Sequence, residues 1–134
     1  MTKQPSSLSF SDFQYERPNL DQLGNDFTEV LAEFQAAATV EAAALAVEQL
    51  DAIRSSIMTA YNICHIRYTI NTQDPFYAEE HKWFDENSPR TEAWRSDYYK
   101  ALIDSPHRKA LEKRFGAQFF RIAELTINTF ITID

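Results

Sequence analysis

The residues from Ile66 to Tyr77 read Ile-Arg-Tyr-Thr-Ile-Asn-Thr-Gln-Asp-Pro-Phe-Tyr, and they place a helix stop directly against a helix start. Pro75 disfavours helical geometry at Asp74, because its ring meets the preceding backbone and Cβ. The same proline suits the first position of a new helix, where no N–H is needed. Asp74 can cap that helix with its carboxylate. A hand-over this tight lays the helices on either side against each other as antiparallel neighbours.

Helical periodicity flanks this point. Leu20, Leu23, Phe27, Val30, Leu31 and Phe34 step by threes and fours and draw one apolar stripe, with the start at Pro18 or Asn19. Gly24 costs that helix about 1 kcal/mol relative to Ala, and either a close contact or a local irregularity accounts for it. Thr39 is placed to cap the next helix, although Ala42 stands where a full capping box needs Glu. Ala43, Val47, Leu50, Ile53 or Arg54, Ile57, Tyr61, Cys64 and Tyr68 then line one face of a long helix near 40–72. Met58, Ile63, Ile66 and Ile70 add apolar side chains on other faces. A helix apolar on several sides is buried on several sides, which predicts that its second half lies at the centre of the fold. The alanines of 36–46 suit a close helix–helix contact, since small side chains let backbones approach.

Ser88-Pro89 and Ser105-Pro106 repeat the cap-plus-proline device and predict two more helix starts. Gly116 reads as a stop after Phe115 or a break before the last element. The final segment carries Phe119, Phe120, Ile122, Ala123, Leu125, Ile127 and Phe130. Its β-branched end leaves helix and strand open, and our reading is helix to about Thr129 followed by a short extended end. Only Gly24 and Gly116 are glycines, too few for a turn-rich β fold. The expectation is an all-α fold, an antiparallel bundle of about five to six helices. It divides into an extended leader, 1–18, anchored by Phe10, Phe13 and Tyr15, and a single helical domain, 19–134.

The bulk properties exclude several partners. Aromatic residues at 13% supply ample burial for one core, which argues against disorder. The net charge is −7 with no basic patch, so neither nucleic acid nor an anionic membrane surface is an expected partner. The longest apolar run, 42–47, falls far short of the ~20 residues that span a bilayer. No hydrophobic region follows Met1-Thr2-Lys3, as a secretory signal requires, and the lone Cys64 excludes an internal disulfide. A cytoplasmic location is expected.

Four segments carry a resemblance. They are Phe10-Ser11-Asp12-Phe13-Gln14-Tyr15-Glu16-Arg17-Pro18, then Ile66 to Tyr77, then Phe84-Asp85-Glu86-Asn87-Ser88-Pro89, then Phe120-Arg121-Ile122-Ala123-Glu124-Leu125. In this order and spacing they resemble the N-terminal helical region of the oligoendopeptidase F family, zinc peptidases of the thimet-oligopeptidase clan. The second segment is similar to the family's Ile-Arg-(His/Tyr)-Thr-Ile-(Asp/Asn)-Thr-x-Asp-x-Phe-Tyr pattern. The resemblance implies an intracellular zinc metallopeptidase that cleaves short peptides inside a deep helical cavity. Its chemistry uses His-Glu-x-x-His, with two histidines on zinc and the glutamate as general base. None of His65, His81 and His107 is followed by Glu-x-x-His, so no catalytic, cofactor or metal residue is carried over. Zinc is implied only for a longer parent.

The remaining clusters have simpler readings. His81 and Asp85 share a helix face, but no third ligand stands at helical spacing, and Glu79, Glu80, Asp85 and Glu86 read as a solvated acidic face with a local His–Asp pair. Cys64 and His65 are adjacent and point about 100° apart on a helix, so they make no nucleophile–base pair. Trp83, Trp94, Tyr98 and Tyr99 read as helix-packing aromatics. Arg67 lies among apolar residues and needs a partner, for which Asp74, Asp85 and Glu86 are candidates. Arg67, Tyr68 and Asp74 are the candidate structural or cavity-facing residues. Two functional readings follow. In one, the chain is a peptidase's N-terminal wall, inert alone, which meets the remainder of its parent or self-associates through Phe119, Phe120, Ile127 and Phe130. In the other, it is a stand-alone acidic adaptor that binds another protein.

Overall fold

The computed structural model describes the backbone of residues 13–133 and the side chains of residues 13–128. Among these residues the fold is five helices: α1 (Leu20–Ala36), α2 (Val40–Ile70), α3 (Pro75–Asp104), α4 (Arg108–Phe115) and α5 (Ala117–Ile133). Short connections turn α1 back onto α2 and α2 back onto α3, while α5 packs on α3 and α4 bridges the end of the bundle. The antiparallel all-α expectation is met. Phe10 lies outside the described residues, as does the side chain of Phe130.

Each start has a local cause. Asn19 Oδ1 accepts from the Gln22 N–H at 3.1 Å, and Thr39 Oγ1 accepts from Ala42 at 3.1 Å. Asp74 Oδ1 accepts from Phe76 at 2.9 Å, with Pro75 as the first helical residue. Each bond satisfies an amide that a helix start leaves unpaired. The Ser105-Pro106 turn leads into α4 two residues later, with Ser105 Oγ accepting from His107 at 3.1 Å. Gly116 separates α4 from α5 at φ 99°, in the region that favours glycine.

Ser88-Pro89 does not start a helix. Pro89 lies inside α3, which runs unbroken from Pro75 to Asp104. Proline leaves the carbonyl four residues earlier without its usual N–H donor. Here that carbonyl belongs to Asp85, and the Ser88 hydroxyl donates to it at 3.3 Å. Asn87 Nδ2 donates to the Trp83 carbonyl at 2.9 Å one turn along. The motif read as a cap therefore splints the helix from within. The tail also differs from expectation: α5 continues as helix to Ile133 rather than ending near Thr129.

The main core joins Phe27 and Phe34 of α1 with Val47 and Leu50 of α2, Leu102 of α3, and Phe120 of α5. The alanine-rich half of α2 is the central one: Ala43, Ala44 and Val47 are fully buried. The second half buries only one face, through Ala60, Ile63 and Cys64, while Met58 and Ile70 are 45% and 76% exposed. The expectation that this half is central is thus reversed. Methyl-sized side chains let α1 and α3 close onto the first half, whereas nothing within the described residues covers the outer faces of the second.

Gly24 is buried, and a Cβ there would stand 2.8 Å from Trp94 Cζ2, so the close-contact explanation holds. Trp94 stacks on Phe27 with ring centroids 5.8 Å apart, and Tyr98 and Tyr99 are buried, so these aromatics pack helices. The apolar surface expected around Phe119, Phe120 and Ile127 is not free. Phe120 is 1% exposed, Ile127 is buried, and Phe119 packs against the core. The exposed side of α5 instead presents Ile122 and Leu125. Period-3.6 spacing put both sets on one short helix, and packing against α3 chose between them.

Candidate functional site

The polar chemistry concentrates where residues 13–18 cross the α2–α3 hand-over. Tyr15 donates to Glu80 Oε1 at 2.8 Å, and Arg17 Nε donates to the same oxygen at 2.9 Å. Arg17 Nη2 takes the second oxygen, giving a two-pronged pair. Glu80 is the buried acidic residue of this group, 6% exposed, so it does not belong to a solvated face. Arg17 holds the Glu80 carboxyl below its ordinary range, against burial and with help from Tyr15. Burial, then the Glu80 carboxylate, pushes the Tyr15 phenol well up. Arg17 also lies over the Trp83 ring, 4.9 Å from its centroid.

Sequence reasoning missed this triad, yet a signal was present. Tyr77, Glu80 and Phe84 share one helical face, so Glu80 sits between two ring-bearing positions of a buried stripe. Its partners lie more than sixty positions earlier, beyond any periodicity. Of the leader expected over 1–18, residues 13–18 are described. Tyr15 meets the rings of Phe76, Tyr77 and Phe84 edge-on, and Phe13 offers its carbonyl.

Arg67 Nη1 donates to the Tyr77 hydroxyl at 2.7 Å, and Nη2 donates to that Phe13 carbonyl. The three carboxylates proposed for it are engaged elsewhere. Asp74 caps α3, Asp85 faces His81, and Glu86 lies 3.9 Å from Lys82. Cys64 is buried, its Sγ is 3.9 Å from the Tyr77 carbonyl, and burial pushes its thiol up, the reverse of an activated nucleophile. Tyr68 stacks on His81 with centroids 4.6 Å apart. His65 Nδ1 meets His81 Nε2 across the α2–α3 interface at 3.1 Å, and His81 Nδ1 lies 3.6 Å from Asp85. The structure therefore brings Tyr68 to the histidines, Arg67 to the leader, and leaves Asp74 as a cap.

Beside this cluster the long helices leave an open groove of about 440 Å³. Ile57, Met58, Tyr61 and Trp83 form an apolar wall, and Arg54 and Glu92 bring charge to it. Such a groove can accept side chains, and Glu92 and Arg95 on its lining stand 4.0 Å apart as an ion pair. The peptidase zinc implied by the sequence resemblance finds no ligand set here. Among the described residues no three His, Cys, Asp or Glu side chains converge. No helix among the described residues is long and apolar enough to cross a membrane.

Solved structures match nearly all of the chain. Pz peptidase A with an inhibitor superposes at TM-score 0.87 with 40% identity over 89% of this chain. A structure named as an oligoendopeptidase F, from crystals grown by microfluidic seeding, gives 0.87 and 40% over 90%. One named as an oligoendopeptidase F of Bacillus anthracis str. Ames gives 0.86 and 40% over 90%. The chain spans 21%, 21% and 22% of the lengths of these three. A comparison with curated proteins found no match. The model of the Peptidase M3 N-terminal domain matches residues 10–130. The chain therefore belongs to the Peptidase M3 N-terminal domain family.

Proposed function

We propose that this chain is the N-terminal helical part of an oligoendopeptidase F-like zinc metallopeptidase acting on short peptides, that it forms part of the substrate-cavity wall, and that it is catalytically inert alone. The observation that carries the reading is the 40% identity and TM-score of 0.87 to Pz peptidase A over 89% of this chain and 21% of that one. The zinc and its His-Glu-x-x-His ligands then belong to other parts of the larger enzyme. The exposed side chains Met58, Ile66, Ile70 and Phe76, together with Ile122 and Leu125, are the surface we assign to contact with those parts. In their absence the same surface supports self-association.

Two measurements test this. The purified chain is assayed on short peptides with and without a chelator; no hydrolysis is expected, and chelator-sensitive cleavage overturns the reading. Sedimentation of the chain is compared with that of Ile122→Lys and Ile70→Lys variants. Self-association weakened by these changes is expected. A concentrated wild-type chain that sediments as a monomer removes the assigned contact surface.

A further inference from the structure

His65 and His81 come from different helices, and the fold aims a nitrogen of each at the other. The separation of His65 Nδ1 from His81 Nε2 is 3.1 Å. Two imidazoles on one divalent cation, with bonds of about 2.0–2.1 Å, place their nitrogens about 2.9 Å apart at a right angle and about 3.3 Å apart at the tetrahedral angle. The observed spacing falls between these values. We propose that His65 and His81 form a two-imidazole site for a first-row divalent cation, with water completing its shell, that clips α2 to α3. This inference does not rest on the peptidase reading.

Three features favour binding over a chance pair. First, His81 presents its other nitrogen to Asp85 Oδ2 at 3.6 Å. At that distance the carboxylate is beyond hydrogen-bond reach but places a negative charge behind the ring, and a small closure would make the carboxylate–histidine contact that orients liganding imidazoles. Second, both rings are held by aromatic neighbours, His65 against Tyr61 at 5.5 Å and 16° and His81 against Tyr68 at 4.6 Å and 26°. Third, His65 is exposed and His81 only half-buried, so a hydrated ion can reach the gap. No additional His, Cys, Asp or Glu among the described residues completes a three-ligand group, which is why water is part of the proposal.

Proton placement is consistent with binding. Without metal, one ring donates its N–H to the other across the gap. On binding, both facing nitrogens offer lone pairs, and that proton moves to the remote nitrogen of its own ring. His81 then carries its proton on Nδ1, beside Asp85. From head-on contact each ring turns by about 35° at the tetrahedral angle and about 45° at a right angle to aim at the ion, through side-chain torsions of which the last, in histidine, is broad.

The test uses the 134-residue chain with Zn²⁺ alone as the diamagnetic probe, read by calorimetry and by histidine ring resonances. One equivalent is expected to bind in the micromolar range, moving the His65 and His81 signals together. His107, whose Nε2 contacts the Ala37 carbonyl at 2.9 Å, is the internal control and should stay put. His65→Gln and His81→Gln should each weaken binding at least tenfold, and Asp85→Asn a few-fold. Where a glutamine variant fails to fold, the wild-type resonances decide. Saturation absent at millimolar Zn²⁺, equal movement of His107, or a folded His65→Gln variant with unchanged affinity overturns the proposal.

Discussion

Arg17 Nε donates to Glu80 Oε1 at 2.9 Å, a contact that helps bind the segment before α1 to the α2–α3 hairpin. The two groups are unequally placed: the Arg17 side chain is 47% exposed and the Glu80 side chain nearly buried. Removing the arginine leaves a carboxylate without its charged partner, which costs more than the pair contributes. Because Arg17 is half in water, Arg17→Ala should lower stability by only about 1–2 kcal/mol. Urea denaturation checks this, and a cycle with Glu80→Gln should recover part of the loss.

The same carboxylate makes stability depend on acid. The Glu80 carboxyl is depressed in the folded chain, mainly by its bond to Arg17. As pH falls, the unfolded chain takes up this proton first, near the ordinary value of about 4.3. The contribution is therefore complete above that value and is lost as pH drops toward the lower, folded value. Urea midpoints between neutral pH and pH 3 should fall more steeply for wild type than for Glu80→Gln.

Gly24→Ala should destabilise the chain although alanine favours helix by about 1 kcal/mol. Its Cβ would lie 2.8 Å from Trp94 Cζ2, on a ring already stacked against Phe27 and under the Arg90 guanidinium. A net loss of about 1–2 kcal/mol is expected from overpacking. Thermal unfolding measures it, and Trp94→Leu in the same chain should remove most of the difference.

Pro89→Ala should stabilise. It restores an N–H aimed at the Asp85 carbonyl, now served by Ser88 Oγ at 3.3 Å. The gain should be about 1–2 kcal/mol, less than the ~3 kcal/mol interior-proline penalty because the helix has adapted around the ring. Ser88→Ala in the wild-type background should instead lower the urea midpoint slightly.

The local instructions were legible in order of residues alone. Asn19, Thr39 and Asp74 announce helix starts because a side-chain oxygen and an amide a few positions on need no distant partner. Stripes such as Leu20-Phe27-Phe34 announce a buried face because the helical period is intrinsic to the backbone. Tertiary packing decided the rest. Whether Ser88-Pro89 begins a helix or is carried inside one depended on a donor for the Asp85 carbonyl and on the packing of α3 against its neighbours. Which half of α2 is central depended on where α1 and α3 close, and which side of α5 is buried depended on α3. Glu80 beside Arg17, and His65 beside His81, are meetings of positions far apart in the chain. No period links such positions, because the loop entropy that separates them is overcome only when the whole bundle forms.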